Sequence, residues 1–488
     1  MPDAFIEPAL FREQAYIGGR WIRSREGDMK TVEDPATLEI VGKVPMLESD
    51  AIGDAIDSAQ GAFEQWSQTA AVERADRLMA WYRAMHDNHE ALARLMTREQ
   101  GKPIADARGE VTYAASFLRW FAEEGRRSLG ARIPSENPDS ALGTVEEPIG
   151  IAAIITPWNF PLAMITRKAA AALAAGCSVI IKPAMETPFS ALALAVLAEE
   201  AGLTNGEFNV VTGDSKSIAS QLCAEPRVRA LSFTGSTHVG QQLLKNSADT
   251  VKHVSMELGG NAPLIVCDDV DLEQAVDGAL AAKFQTSGQD CLAANRIFVH
   301  RRIYDEFIKG FSERMNALIV GNGAEEKTDI GPLIHAGAVE KAQAMVDDAQ
   351  GKGAKVTGRS QDDAPGANFF MPTLVEWITP EMRLFREEVF APVASICVFD
   401  DDDSVIKAAN DTEYGLAAYI FTNNDARIRK FLRRLDYGMV GINTMDITGP
   451  HVPFGGVKQS GLGREGGHVG LKEYLETKYY CIGGVPVH

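Results

Sequence analysis

Three observations predict an α/β fold built on a parallel sheet. From about residue 150, short apolar runs alternate with helical stretches. Glycines close the first two of those helices. The 488 residues also exceed what one hydrophobic core serves, so two or three domains are expected. Taking the elements in order, residues 71–100 carry apolar side chains at helical spacing until Gly101 and Pro103 stop the pattern, which predicts one long amphipathic helix or a pair. Ile151–Ile155 reads as a buried strand, Ala163–Ala175 as a helix closed by Gly176, and Ser178–Ile181 as a second strand. Pro188–Ala201 is a helix again followed by glycine, Phe208–Thr212 a third strand, and Ile218–Ala224 a short helix. Val228–Phe233 is the fourth strand, Val239–Ser247 a helix, and Val251–Glu257 the fifth strand. A second α/β stretch runs from about 258 to 440, with strands at Leu264–Cys267 and Arg296–Val299 and a helix near Ile303–Leu318. The acidic run Asp400–Asp403 reads as a solvated loop. Lys478–Ile482 reads as a terminal strand outside either sheet, free to pair with another subunit.

Composition narrows the function classes. Hydrophobic residues at 45% and charged residues at 24% are those of a globular chain. A net charge of −19 repels phosphate backbones, so no nucleic-acid partner is expected. The start MPDAFIEPALFREQ lacks a basic segment followed by an apolar run, and no run approaches bilayer length, so neither a signal peptide nor a membrane partner is expected. Six cysteines are scattered without a CxxC pair, which favours reduced thiols in the cytoplasm. No metal site is expected. The fingerprint G-x-G-x-x-G occurs at Gly461, Gly463 and Gly466, but no buried strand precedes it, so a packing turn is the better reading.

Ligands of a parallel sheet bind at the carboxyl ends of its strands, so the residues just after each strand carry the information. Trp158-Asn159 follow the first strand. The Asn159 amide suits an oxyanion hole, although the residues alone favour a rigid turn with an Asx bond. Lys182, after the second, could bond ribose or phosphate oxygens. Gly235-Ser236, after the fourth and before a helix, make an anion seat, an N-cap, or both. Glu257 ends the fifth strand before two glycines, where desolvation would suit it to general-base work; a turn-capping carboxylate is the alternative. Cys291 sits in the polar turn Ser287-Gly288-Gln289-Asp290-Cys291, placed for exposure, whereas Cys267 lies in the apolar run PLIVC. No neighbouring histidine suggests a Cys–His pair.

Together these segments resemble the aldehyde dehydrogenase superfamily. PWNFP, KPAMETP, FTGST, MELGG, GQDC, EEVF and PFGGVKQSGLGRE occur in the family's order over roughly 157–465, and the resemblance covers essentially the whole chain. The nearest subgroup is the succinate-semialdehyde dehydrogenases. The resemblance implies a parallel-sheet cofactor domain (1–124 and 148–256, with 441–469 returning to it), an α/β catalytic domain (257–440) and a small β oligomerisation element (125–147 and 470–488). It implies Cys291 as nucleophile, Glu257 as general base and Asn159, with the Cys291 amide, as oxyanion hole. Trp158, Lys182, Met185, Gly235, Ser236, Glu388 and Phe390 fall on its cofactor site, and NAD(P)+ is the implied cofactor. The implied reaction oxidises a small-molecule aldehyde, such as succinate semialdehyde, to the acid through a Cys291 thioester, in a homodimer or homotetramer.

Three departures qualify the inheritance. Met185 stands where NAD-preferring relatives carry a glutamate, with the acid one later at Glu186, so NADP use or dual use is expected. Of two arginines that grip the substrate carboxylate in semialdehyde enzymes, Arg167 matches one, but Gln285 replaces the other. A missing charge-assisted grip costs about 1.5–3 kcal/mol, which keeps longer, aromatic or neutral aldehydes as the alternative. Ala293 replaces a second cysteine, so no redox-switch disulfide is expected in the catalytic loop. A CoA-acylating dehydrogenase, argued against by Glu257, a non-catalytic relative and a thiol hydrolase are lesser alternatives.

Overall fold

The computed structural model describes residues 5–484. Two mostly parallel sheets and two smaller antiparallel ones, of three strands and of two (Met29–Glu33 with Ile40–Pro45), organise them. The first has eight strands. Its five parallel members lie in the spatial order His253–Glu257, Val228–Thr234, Ile151–Ile155, Ser178–Lys182, Phe208–Val210. Ala15–Ile17 and Arg20–Ile22 extend it antiparallel beyond Phe208–Val210, and Gly461–Leu462 pairs antiparallel on the other edge. The chain therefore starts in the middle of the parallel set, runs to one side and then crosses to the other. A switch point opens between Ile151–Ile155 and Val228–Thr234, where the loops leaving the two strands diverge. Register aligns the strand ends: Ile155 stands opposite both Phe233 and Lys182, and Thr234 opposite Glu257.

Local chemistry explains these elements. The central strands are rich in Ile, Val and Ala and are buried on both faces. The helix Ala163–Ala175 is buried along its whole length, and its alanines let it lie close to the sheet. Pro188 opens the helix Pro188–Glu200 at a first-turn position, where its missing N–H costs nothing. Residues 71–100 form a pair of helices, Ala71–Asp87 and His89–Gln100, broken at Asn88.

The second sheet has seven strands, in the order Lys355–Gly358, Thr373–Glu376, Val393–Phe399, Ala294–His300, Ala262–Val266, Ala417–Phe421, Met439–Ile442. All neighbours are parallel except the first pair. The third sheet joins Arg132–Ile133, Ser140–Pro148 and Leu475–Gly483. The terminal strand lies outside both large sheets, as expected, at the edge of this third one; it pairs antiparallel along its whole length with Ser140–Pro148 of its own chain, from Leu475 opposite Pro148 to Gly483 opposite Ser140.

Some boundaries differ. The fifth strand starts at His253 rather than Val251, because Val251 is held at φ 49° after a short turn. The third strand ends at Val210, and Thr212 turns away with its hydroxyl donating to the Pro45 carbonyl at 2.6 Å. Only the first half of the acidic run, Asp400–Asp401, is the exposed loop expected; Asp402 and Asp403 begin a helix. Asp401 caps the helix Asp402–Asn410 by accepting from the Asp403 and Ser404 amides at 3.0 Å, and Asp402 pairs with Arg427 at 3.2 Å. The Gly461 fingerprint lies in an edge strand and turn, with no helix opening on it. A Cβ at Gly461 would lie 2.0 Å from the Met256 carbonyl, so glycine serves close strand pairing there. No described helix is long and apolar enough to cross a membrane.

Candidate active site

The loops leaving the first sheet meet the loop that precedes Ala294–His300. The helix Leu272–Phe284 ends in a turn where Thr286 (φ 49°) and Ser287 (φ 58°) both adopt left-handed backbone. Such strain persists only where surroundings hold it. Here the Thr286 amide donates to Asp106 at 2.9 Å, the Ser287 hydroxyl to the Gly331 carbonyl at 3.1 Å, and the Gln289 amide to the Pro332 carbonyl at 3.2 Å. Cys291 follows, half-buried. Gly260 lies against it so closely that a Cβ would stand 2.4 Å from the Cys291 carbonyl.

Asn159 is buried and its side-chain amide donates to the Gln289 carbonyl at 3.0 Å, which ties the first strand's loop to the cysteine loop. Its own carbonyl accepts from Lys102 Nζ at 2.7 Å, and Lys102 pairs with Glu110 at 2.5 Å. Glu110 in turn accepts the Leu162 and Ala163 amides at the start of the helix Ala163–Ala175. A buried chain of four groups thus fixes the asparagine.

Glu257 ends its strand 2% exposed, and neither carboxyl oxygen has a hydrogen-bond partner. Burial and the nearby Glu465 carboxylate push its carboxyl well above the usual range. Glu465 goes the other way, held down by Lys168 and by Arg167, whose Nε lies 2.6 Å from it. Burial, together with Asp290, Glu388 and Glu257, pushes the Cys291 thiol up, against the pull of Arg167.

The Cys291 loop opens on a cavity of about 360 Å³. Cys291, Arg167 and Gln285 all line it, with Tyr113, Phe160 and Phe454 among the walls. Arg167 stacks 3.9 Å from the Phe454 ring centre. Gln285 is exposed at the rim.

The remaining predicted residues lie along the carboxyl edge of the first sheet. Lys182 is buried beside Ser215, Nζ to Oγ 2.5 Å, and burial lowers its amine to about 8 against the pull of Glu186 and Asp214. Met185 Sδ takes the Gly213 amide at 3.4 Å. Ser236 caps the helix Thr237–Ser247 by accepting from Val239, leaving other first-turn N–H groups at the sheet edge. The Thr234 hydroxyl there is buried without a partner. Glu388 accepts the Gly260 amide at 3.1 Å, with burial raising its carboxyl to about 7. Trp158 and Phe390 meet edge to face at 5.6 Å. A cation, an anion seat, orphaned hydroxyl capacity and an aromatic pair along one crevice fit a dinucleotide.

The aldehyde dehydrogenase family model matches residues 21–480. The chain belongs to the aldehyde dehydrogenase family. It is 62% identical over 476 residues to a non-phosphorylating aspartate-semialdehyde dehydrogenase of Halomonas elongata, covering 98% of this chain and 97% of that one. It is 48% identical to an NADP(+) succinate-semialdehyde dehydrogenase of Escherichia coli, covering 97% and 98%. Its structure overlays that of a succinate-semialdehyde dehydrogenase from Burkholderia pseudomallei with a TM-score of 0.97 at 47% identity, covering 99% and 100%.

Within this aldehyde dehydrogenase several site residues escaped the sequence reading. Asp106, Glu110 and Tyr113 face the cavity from the helix Ile104–Glu124. Their i, i+4, i+7 spacing was the available signal, since it puts two acids and a phenol on one face of a helix that lay beyond the stop read at Gly101 and Pro103. Ser215 gave no signal, because it meets Lys182 from thirty-three residues away. Asp290 stood beside Cys291 in plain view.

Proposed function

We propose that this enzyme oxidises a short carboxylate-bearing semialdehyde to the corresponding acid with NAD(P)+, through a thioester on Cys291. The observation that carries the reading is the shared cavity of Cys291 and Arg167, with an unpartnered Glu257 near enough to act on the Cys291 thiol and the Asn159 amide bonded into the cysteine loop. The semialdehyde names of the relatives above support it, and succinate and aspartate semialdehydes are the first substrates to test.

Cys291 attacks the aldehyde carbon as thiolate. Asn159 and the Cys291 amide donate to the oxyanion that forms, a contribution on the order of 3 kcal/mol per donor. The bound nicotinamide supplies the acceptor for the hydride that leaves as the thioester forms. Glu257, kept free of other partners, then takes a proton from water, and that water releases the acid from Cys291. Lys182, Ser215, Gly235 and Ser236 would hold the adenosine and pyrophosphate, and Glu388, Trp158 and Phe390 the nicotinamide end. Met185 offers no carboxylate against a 2′-phosphate, which supports NADP or dual use. We propose further that the sheet containing Leu475–Gly483 joins subunits into a homodimer or homotetramer.

The test is the near-ultraviolet absorbance of reduced cofactor with a panel of semialdehydes and neutral aldehydes, run with both NAD+ and NADP+. Turnover of semialdehydes dependent on Cys291 supports the reading. A preference for neutral or aromatic aldehydes overturns the substrate class, and a thousandfold preference for NAD+ overturns the cofactor expectation.

A further inference from the structure

The cavity at Cys291 holds more acid than a plain semialdehyde calls for. Asp106, Glu110 and Asp290 line it, and Asp446 stands exposed at its solvent side. Glu110 is neutralised by Lys102 and by two helix amides. Asp106 and Asp290 are not. Among the described residues neither has an ion-pair partner. Asp106 accepts one backbone N–H, from Thr286 at 2.9 Å, and Asp290 accepts one, from Leu292 at 2.9 Å, and meets the Cys291 thiol. Lys102 acts on both acids and Arg167 on Asp290 only from a distance, since Glu110 and Glu465 already engage them. Lys283 lies behind the loop, outside the cavity lining, and burial lowers its amine to about 7, so it supplies only part of a charge near neutrality.

Against this acid the lining sets one cation. Arg167 is 1% exposed and lines the cavity, and its Nη1 has no hydrogen-bond partner. A wholly anionic substrate satisfies Arg167 but meets two uncompensated carboxylates. A wholly cationic one leaves the buried Nη1 unmet. A substrate carrying both charges satisfies all three.

We infer that Asp106 and Asp290 form an ammonium subsite opposite the carboxylate-binding Arg167, so that the preferred substrates are zwitterionic 2-amino acids ending in an aldehyde. This rests on the semialdehyde reading above and narrows it.

L-Aspartate 4-semialdehyde and succinate semialdehyde differ only by the amine, so their kcat/KM ratio isolates the subsite. The wild-type enzyme is expected to favour the amine-bearing substrate by roughly 10- to 100-fold, the scale of one charge-assisted contact. Asp290→Asn and Asp106→Asn should each lower that ratio about tenfold, through KM for the amine-bearing substrate. Any general effect of Asp290 on Cys291 cancels in the ratio. Should a variant fail to fold, the unreactive alcohols L-homoserine and 4-hydroxybutanoate read the same preference as inhibitors of the wild type, with L-homoserine the stronger. A wild-type preference for succinate semialdehyde, or a ratio unmoved in both variants, overturns the ammonium subsite while leaving the semialdehyde reading intact. Oxidation of neutral aldehydes but of neither semialdehyde overturns both.

Discussion

Glu257 and Glu465 are two buried carboxylates with opposite fates. Glu465 has Arg167 and Lys168 against it and stays charged, whereas Glu257 has neither a cation in contact nor a hydrogen-bond donor, and its carboxyl rises. A carboxyl raised in this way is protonated at acid pH and becomes a base only as pH climbs past the usual carboxylate range. The Cys291 thiol, also raised, moves the same way, because thiolate accumulates only as pH rises. We therefore expect kcat to increase from mildly acid to alkaline pH, and iodoacetamide labelling of Cys291 to follow the thiol alone. A rate flat over that interval would count against Glu257 as base. Asn159 yields a second expectation at this scale. Asn159→Ala should lower kcat by about 10²–10³ while substrate binding changes little, the cost of one oxyanion donor. An unchanged kcat would remove it from that role.

At the scale of elements, buried carboxylates stitch one helix to the head of another. Glu110 accepts the Leu162 and Ala163 amides at the head of Ala163–Ala175, and Glu99 accepts the Phe189 and Ser190 amides at the head of Pro188–Glu200. Each meets unsatisfied first-turn N–H groups where the helix dipole favours negative charge. Lys102 completes the first of these and positions the Asn159 carbonyl. Removing its charge strands Glu110, so Lys102→Met should destabilise the fold by about 3–5 kcal/mol. It should also lower kcat, since Asn159 loses its support; thermal unfolding with steady-state kinetics checks both, and an unmoved midpoint would show the pair to be dispensable. These caps also mark what the sequence conceals. The strand–helix alternation from Ile151 to Glu257 was legible because it is a local periodicity, and the strand ends that carry Asn159, Lys182, Gly235 and Glu257 followed from it. Glu99 and Glu110 meet helices more than fifty residues away, and no local pattern announces such a partner. Asp401 is the reverse case. It was visible in an acidic run, yet composition alone could not distinguish a solvated loop from an N-cap.

For the whole molecule, the two large sheets bring their loops together over one crevice, and the third sheet stands apart on strands from two distant segments. That sheet exposes apolar side chains on both faces, Tyr479 59% exposed on one and Ile482 50% exposed on the other, beside Tyr480. Isolated exposed residues are ordinary, but a row of them along a terminal strand suits burial against another copy. Replacing Tyr479 and Ile482 together by lysine should shift the protein to a smaller species in sedimentation, whereas unchanged sedimentation would place the subunit contact elsewhere. The resemblance grouped 125–147 with 470–488 in one β element, but the register of Leu475–Gly483 on Ser140–Pro148 was not readable from the residues themselves, because a strand's partner depends on topology.

The central claim is that the acyl group resides on Cys291 until Glu257 sends water against it. Glu257→Gln should form the thioester and release it slowly. With semialdehyde and NADP+, mass spectrometry of the quenched variant should find the acyl mass on the Cys291 peptide, with about one reduced cofactor formed per active site. An unmodified Cys291 peptide alongside that burst of reduced cofactor, or turnover retained by Cys291→Ser, would contradict the account.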